Sequence, residues 1–141
     1  MKSTATIPII LGISLLGMAC GEKQSSYYWK SKEVTVSAFN SVPWQTDTLH
    51  NLAAWGDTLK PGMKCVAISR DLFEMGLDYN TPVKIEGLKG MYLVKDKMHF
   101  RWRNKIDIYM GTDIKKARNW GRKKLTIYYP AKKDSLSPAP E

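Results

Sequence analysis

The chain is poor in metal-ligating side chains, with only His50, His99, Cys20 and Cys65 in 141 residues. No HxH, CxxC or HExxH spacing occurs, so neither a metal site nor another cofactor is expected, and a Cys/His nucleophilic pair has no support. Acid is also scarce. Thirteen Asp and Glu stand against 22 Lys and Arg, a net charge of +9, which suits an anionic polymer or surface as partner. No nucleic-acid-binding signature accompanies that charge, so nucleic acid is not an expected partner. Long apolar runs are missing too: the N-terminal one, from about Ile7 to Met18, falls well short of the ~20 residues that cross a bilayer. No internal repeat is visible.

That short apolar run follows Lys2 and ends at Ala19-Cys20, the pattern of a secretory signal over residues 1–19. The segment GMAC resembles the lipobox of bacterial lipoproteins, with Gly17 where Leu is usual and Leu15 and Leu16 just before it. The resemblance implies a lipid on Cys20 and a membrane anchor; plain signal cleavage is the alternative. Gly rather than Asp follows Cys20, which by resemblance to bacterial sorting rules points to the outer membrane, facing the periplasm. Without residues 1–19 the chain keeps 21 cations and 13 acids, a net +8. With Cys20 lipidated, Cys65 has no partner for an intramolecular disulfide and, lying in the apolar run KCVAIS, reads as a buried structural thiol.

Residues 20–32 read as a polar tether with an aromatic patch at Tyr27, Tyr28 and Trp29, which either packs on the domain or stacks on glycan. One domain is expected over 33–129. EVTVSAFN alternates as a first strand. The stretch that follows carries Trp44, Leu49, Leu52 and Trp55 as apolar surface to fold over the domain, with a helical turn at Leu49–Ala54 and a turn role for Asp57. MKCVAIS, nearly continuous in apolar residues, reads as a strand covered on both faces. Leu72, Phe73, Met75 and Leu77 form a short helical or bent turn ending at Gly76, TPVKIEGLKG a third strand, and a fourth starts at Met91. A fifth holds Ile106, Ile108 and Met110 on its apolar face. A helix from Asp113 to Trp120 takes Thr112 as N-cap and Gly121 as stop, and KLTIYY closes the fold. Residues 130–141, with almost no apolar content, read as disordered. Short strands with one or two small helices indicate a compact, mainly β barrel.

Two isolated aspartates, Asp96 and Asp107, fall near the ends of two strand-like runs, joined by a cationic and aromatic loop, MHFRWRN. By period, Asp96 shares a face with Tyr92 and Val94, and Asp107 one with Lys105 and Tyr109. A hairpin-like connection would make the carboxylates neighbours, pushing up the pKa of one so that it serves as general acid. Alternatively each forms a surface ion pair with Lys95, Lys97, Arg101, Arg103 or Lys105.

The run VAIS-x-DL-x-x-x-GL-x-x-x-TPVKIEGLKG-x-YLVKD, followed by IDIYMG and KKARNWGRKKLTIYY, resembles the three-aspartate (3D) domain related to the membrane-bound lytic transglycosylase A family. The similarity spans roughly Val34 to Tyr129. It implies a six-stranded double-psi β-barrel and an enzyme that cleaves the N-acetylmuramic acid–N-acetylglucosamine bond of peptidoglycan to a 1,6-anhydro product. The resemblance makes Asp107 the catalytic acid and Asp96 its support. Ser69 stands at the family's first aspartate, where Asp71, two residues on, would substitute. KMHFRW replaces the usual Gly-Gly-Ala-Ile loop, and Lys97, Arg101, Trp102 and Arg103 are expected to bind glycan together with Ser69 and Asp71. The expected protein is a monomer acting on peptidoglycan strands. A non-catalytic peptidoglycan-binding lipoprotein with a degenerate barrel is the alternative.

Overall fold

The computed structural model describes residues 27–42 and 51–132. The signal, Cys20, Trp44, Leu49, His50 and the tail beyond Lys132 lie outside the described residues. Six strands, β1 (Tyr27–Phe39), β2 (Cys65–Ile68), β3 (Pro82–Ile85), β4 (Tyr92–Lys97), β5 (Lys105–Tyr109) and β6 (Lys123–Lys132), close into a barrel in the order β1-β5-β2-β4-β3-β6. Two short helices, α1 (Asp71–Glu74) and α2 (Ile114–Trp120), complete the described part. β1 with β5 and β2 with β4 are parallel; the other neighbouring pairs are antiparallel. Exchanging β1, β2 and β3 with β4, β5 and β6 maps this ring onto itself, as the double-psi connectivity requires. The two halves share no repeated sequence.

Alternation produces the core. Val34 and Val36, Val66 and Ile68, Val83 and Ile85, Val94, Ile106 and Ile108, and Ile127 and Tyr129 point inward from the six strands, and Leu72 and Leu77 close one end. β2 is buried on both faces. Its outward Cys65, with Tyr109, lies under Ala53 and Leu59 of a small hairpin closed by the Leu52–Thr58 bridge. The expected helical turn is therefore absent from its described part, 51–54: Ala53 N donates to Asp57 O (2.8 Å) and Leu59 N to Asn51 O (2.7 Å). Asp57 also pairs with Lys95 (3.3 Å), whose Nζ reaches the Tyr79 hydroxyl (3.2 Å).

Three further boundaries differ from expectation. β1 begins at Tyr27 rather than Glu33 because 27–32 pairs with 127–132 of β6, including Trp29 with Pro130. The aromatic part of the expected tether and the start of the expected tail thus form one antiparallel ribbon. The N-cap of α2 is Asp113, whose carboxylate accepts from Lys116 N (2.9 Å), rather than Thr112. At Gly111, φ is +59° and a Cβ would stand 3.2 Å from Pro61 Cα, so this turn accepts only glycine without strain.

Burial pushes the Cys65 thiol up to about 11, and the residue is 1% exposed. In the folded protein Cys65 should resist alkylation at pH 8 and react promptly in denaturant; peptide mapping after iodoacetamide treatment checks this, and rapid native labelling would contradict the covering hairpin.

Candidate active site

Register builds a row across four strands on the outer face of the barrel. Ser37 of β1 pairs with Asp107 of β5, Asp107 with Ala67 of β2, and Ala67 with Asp96 of β4. A β-bulge carries Asp96 into that row: the register shifts between Val66 and Ala67, leaving Lys95 unpaired, so Val94 stays in the core while Asp96 turns outward. This overturns the expectation that Val94 and Asp96 share a face. It also overturns the hairpin, because β2 lies between β4 and β5. Two strand spacings, about 10 Å, separate the backbones of the two aspartates.

Their environments differ accordingly. Asp107 Oδ1 accepts from the Ser37 hydroxyl and lies 3.5 Å from Lys105 Nζ. Lys105 is 8% exposed, and its ammonium sits 4.1 Å from the centre of the Trp102 ring. The ion-pair reading therefore describes Asp107, although this pair is mostly enclosed. Asp96 pairs with no cation among the described residues: its Oδ1 accepts from Ala54 N and Lys97 N, both at 2.8 Å. Burial raises its pKa above the ordinary carboxylate value, opposed by those two N–H groups. Burial thus biases Asp96 toward the acid form.

Ser69 is fully buried and welded to β5: its Oγ accepts from Lys105 N (3.0 Å) and its N donates to Lys105 O (2.9 Å). It cannot present its hydroxyl to a glycan. Asp71 does not continue the β2 face; it opens α1 and holds the β4–β5 loop, accepting from Asn104 N (2.8 Å). Burial works to raise the Asp71 pKa, but hydrogen bonds from Ser69 and the Asn104 and Asp71 amides, with the Arg103 charge, hold it below the ordinary value. Asp71 is thus held as a clamp on that loop. Lys97 Nζ lies over Trp55 (4.4 Å) and Phe73 (5.3 Å). Arg101, Trp102 and Arg103 are exposed on the loop, beside Phe100, which is 67% exposed.

Sequence reasoning missed a groove at the barrel end where the β1–β6 ribbon projects. Tyr27, Trp29, Phe73, Met75, Tyr79 and Met91 are among the residues lining a cavity of about 980 Å³ there, with Glu74, Asp78 and Asn80 as polar groups. Only the run Tyr27-Tyr28-Trp29 hinted at it; the other residues are scattered between Phe73 and Met91. Trp55 joins groove and carboxylate. Its ring packs on Phe73 (5.4 Å) and Tyr79 (5.3 Å), while the amide of its neighbour Ala54 bonds to Asp96.

No group of three or more His, Cys, Asp or Glu able to hold a metal ion occurs among the described residues. Compared with known proteins, the chain matches no family model and no curated sequence.

Proposed function

We propose that the protein is a lipid-anchored peptidoglycan lytic transglycosylase in which Asp96 is the acid–base group. The observation that carries this reading is a half-buried carboxylate biased toward its protonated form, one aromatic ring away from an aromatic-lined groove. Aromatic faces with a few polar groups suit pyranose rings, and the resemblance to the 3D domain points to the same substrate. One carboxylate suffices because the nucleophile belongs to the substrate, unlike in hydrolytic glycosidases. Asp96 gives its proton to the glycosidic oxygen as the C1–O bond breaks, then takes the proton of the C6 hydroxyl as that oxygen bonds to C1, restoring the acid. Asp107, fixed by Ser37 and Lys105, contributes a positioned charge along the same face.

The protein, purified in detergent, should release 1,6-anhydro-muropeptides from wall sacculi, read by mass spectrometry. Sedimentation with sacculi without anhydro products would establish the second reading, a non-catalytic wall-binding lipoprotein. The structural employment of Ser69 and Asp71 and the closed Asp107–Lys105 pair favour that alternative. The proposed location, outer membrane facing the periplasm, rests on Cys20. Cys20→Ser should move the protein to the soluble envelope fraction on cell fractionation, and unchanged membrane association would refute the anchor.

A further inference from the structure

The barrel end away from the aromatic groove carries a second cavity, of about 480 Å³, floored by Ile108 and walled by Tyr92, Trp120, Lys64, Lys116 and Lys123. Among the described residues no Asp or Glu lines it. The chain from Ile114 to Lys132 contains no acid at all, while Lys115, Lys116, Arg118, Arg122, Lys123 and Lys124 fall within it. Lysines in an acid-free wall repel one another, so an arrangement of this kind is relieved by a bound anion.

A second observation is independent of charge. The indole Nε1–H of Trp120 is buried and has no hydrogen-bond partner among the described residues, an uncommon state for a buried donor. Lys123 Nζ lies 3.9 Å from the centre of the same indole ring, so donor and cation converge on one side chain. Burial holds the Tyr92 phenol above its ordinary value and keeps it an O–H donor. Lys64, by contrast, is partly engaged, donating to Lys89 O at 2.9 Å, which leaves Lys116 and Lys123 as the principal charges.

The geometry points to this cavity as a binding site for a phosphate group that accepts a hydrogen bond from the Trp120 indole N–H and is neutralised by Lys116 and Lys123. Several ammonium groups without a carboxylate match a dianion better than a singly charged one, and a tetrahedral oxyanion offers enough acceptors for a neutral donor and two cations together. The site needs none of the groups of the proposed glycan chemistry, and either can fail alone.

The test is an NMR titration of the detergent-purified full-length protein at constant ionic strength, following indole N–H signals, with the Trp120 signal assigned by its loss in Trp120→Phe. Inorganic phosphate and glycerol phosphate should shift the Trp120 signal saturably, and acetate at equal concentration much less. Lys116→Ala and Lys123→Ala, at exposed positions, should each weaken phosphate binding about fivefold while leaving the other indole signals in place. A Trp120 signal that does not move, moves equally with acetate, or moves undiminished in the Lys116→Ala/Lys123→Ala double variant would overturn the proposal. If only inorganic phosphate binds, the ligand is the free ion; if glycerol phosphate binds as well, the ligand is a phosphate ester, and both outcomes support the site.

Discussion

Asp96→Asn is expected to lower anhydro-muropeptide release by about 10²-fold or more, the ordinary loss for a general acid–base group, with sedimentation on sacculi unchanged. Asn can place its carbonyl oxygen where Asp96 Oδ1 accepts from Ala54 N and Lys97 N, so the local backbone keeps its partners while the transferable proton disappears. Stability separates this outcome from a structural one. The folded-state pKa of Asp96 is raised, chiefly by burial, so its favourable contribution is complete below the unfolded value of about 3.9 and is lost as pH rises through the raised value. Asn never ionises and escapes that loss. The variant should thus be at least as stable as the parent at neutral pH, by thermal melting, while inactive. In the parent, turnover should fall on the alkaline side as pH passes the raised Asp96 value and the acid form is depleted. Full activity in Asp96→Asn together with its loss in Asp107→Asn would return the acid role to Asp107.

The assignment of roles is also where the sequence was least legible. Period alone put Ile106 and Ile108 inside with Asp107 outside, and the unbroken apolar character of KCVAIS announced a strand covered on both faces, since Val66 and Ile68 fill the barrel while Cys65 and Tyr109 meet the hairpin. Those readings need only local alternation. The relation between Asp96 and Asp107 depends on which strand lies between them, and β2 enters that gap through a parallel pairing with β4 and an antiparallel one with β5; neither pairing leaves a mark in YLVKDK or KIDIY. The bulge at Lys95 reverses the face of Asp96 without any glycine or proline to announce it. In the same way 27–32 lacked a strand signature because both faces of the ribbon are at least partly open to solvent, so no apolar alternation was needed there. Its partner in β6 includes Pro130, which read as the start of a disordered tail. The resemblance to the 3D domain agreed with the barrel, whereas the structural duties of Ser69 and Asp71 became visible only with their partners Lys105 and Asn104.

Lys105→Met is expected to produce the largest loss of stability among single changes at this site. The ammonium is shut beneath Trp102, 3.5 Å from Asp107. The methionine would fill much of the lysine stem's volume but leave Asp107, with 22% of its side chain exposed, without its counter-charge. Removing one partner of an enclosed pair costs about 3 kcal/mol, the lower part of the usual range because Asp107 keeps some contact with water and its Ser37 hydrogen bond. For a domain of this size that corresponds to a fall of about 10 °C or more in Tm. Asp107→Asn alone should cost less, since Asn still accepts from Ser37 and keeps an amide oxygen beside the ammonium. The double change Lys105→Met/Asp107→Asn should recover most of the loss, because the unpaired charge disappears and Asn can still accept from Ser37. A double variant as unstable as the sum of the single ones would show that Lys105 acts through packing under Trp102 and not through Asp107, and the fixed charge assigned to Asp107 would lose its structural basis.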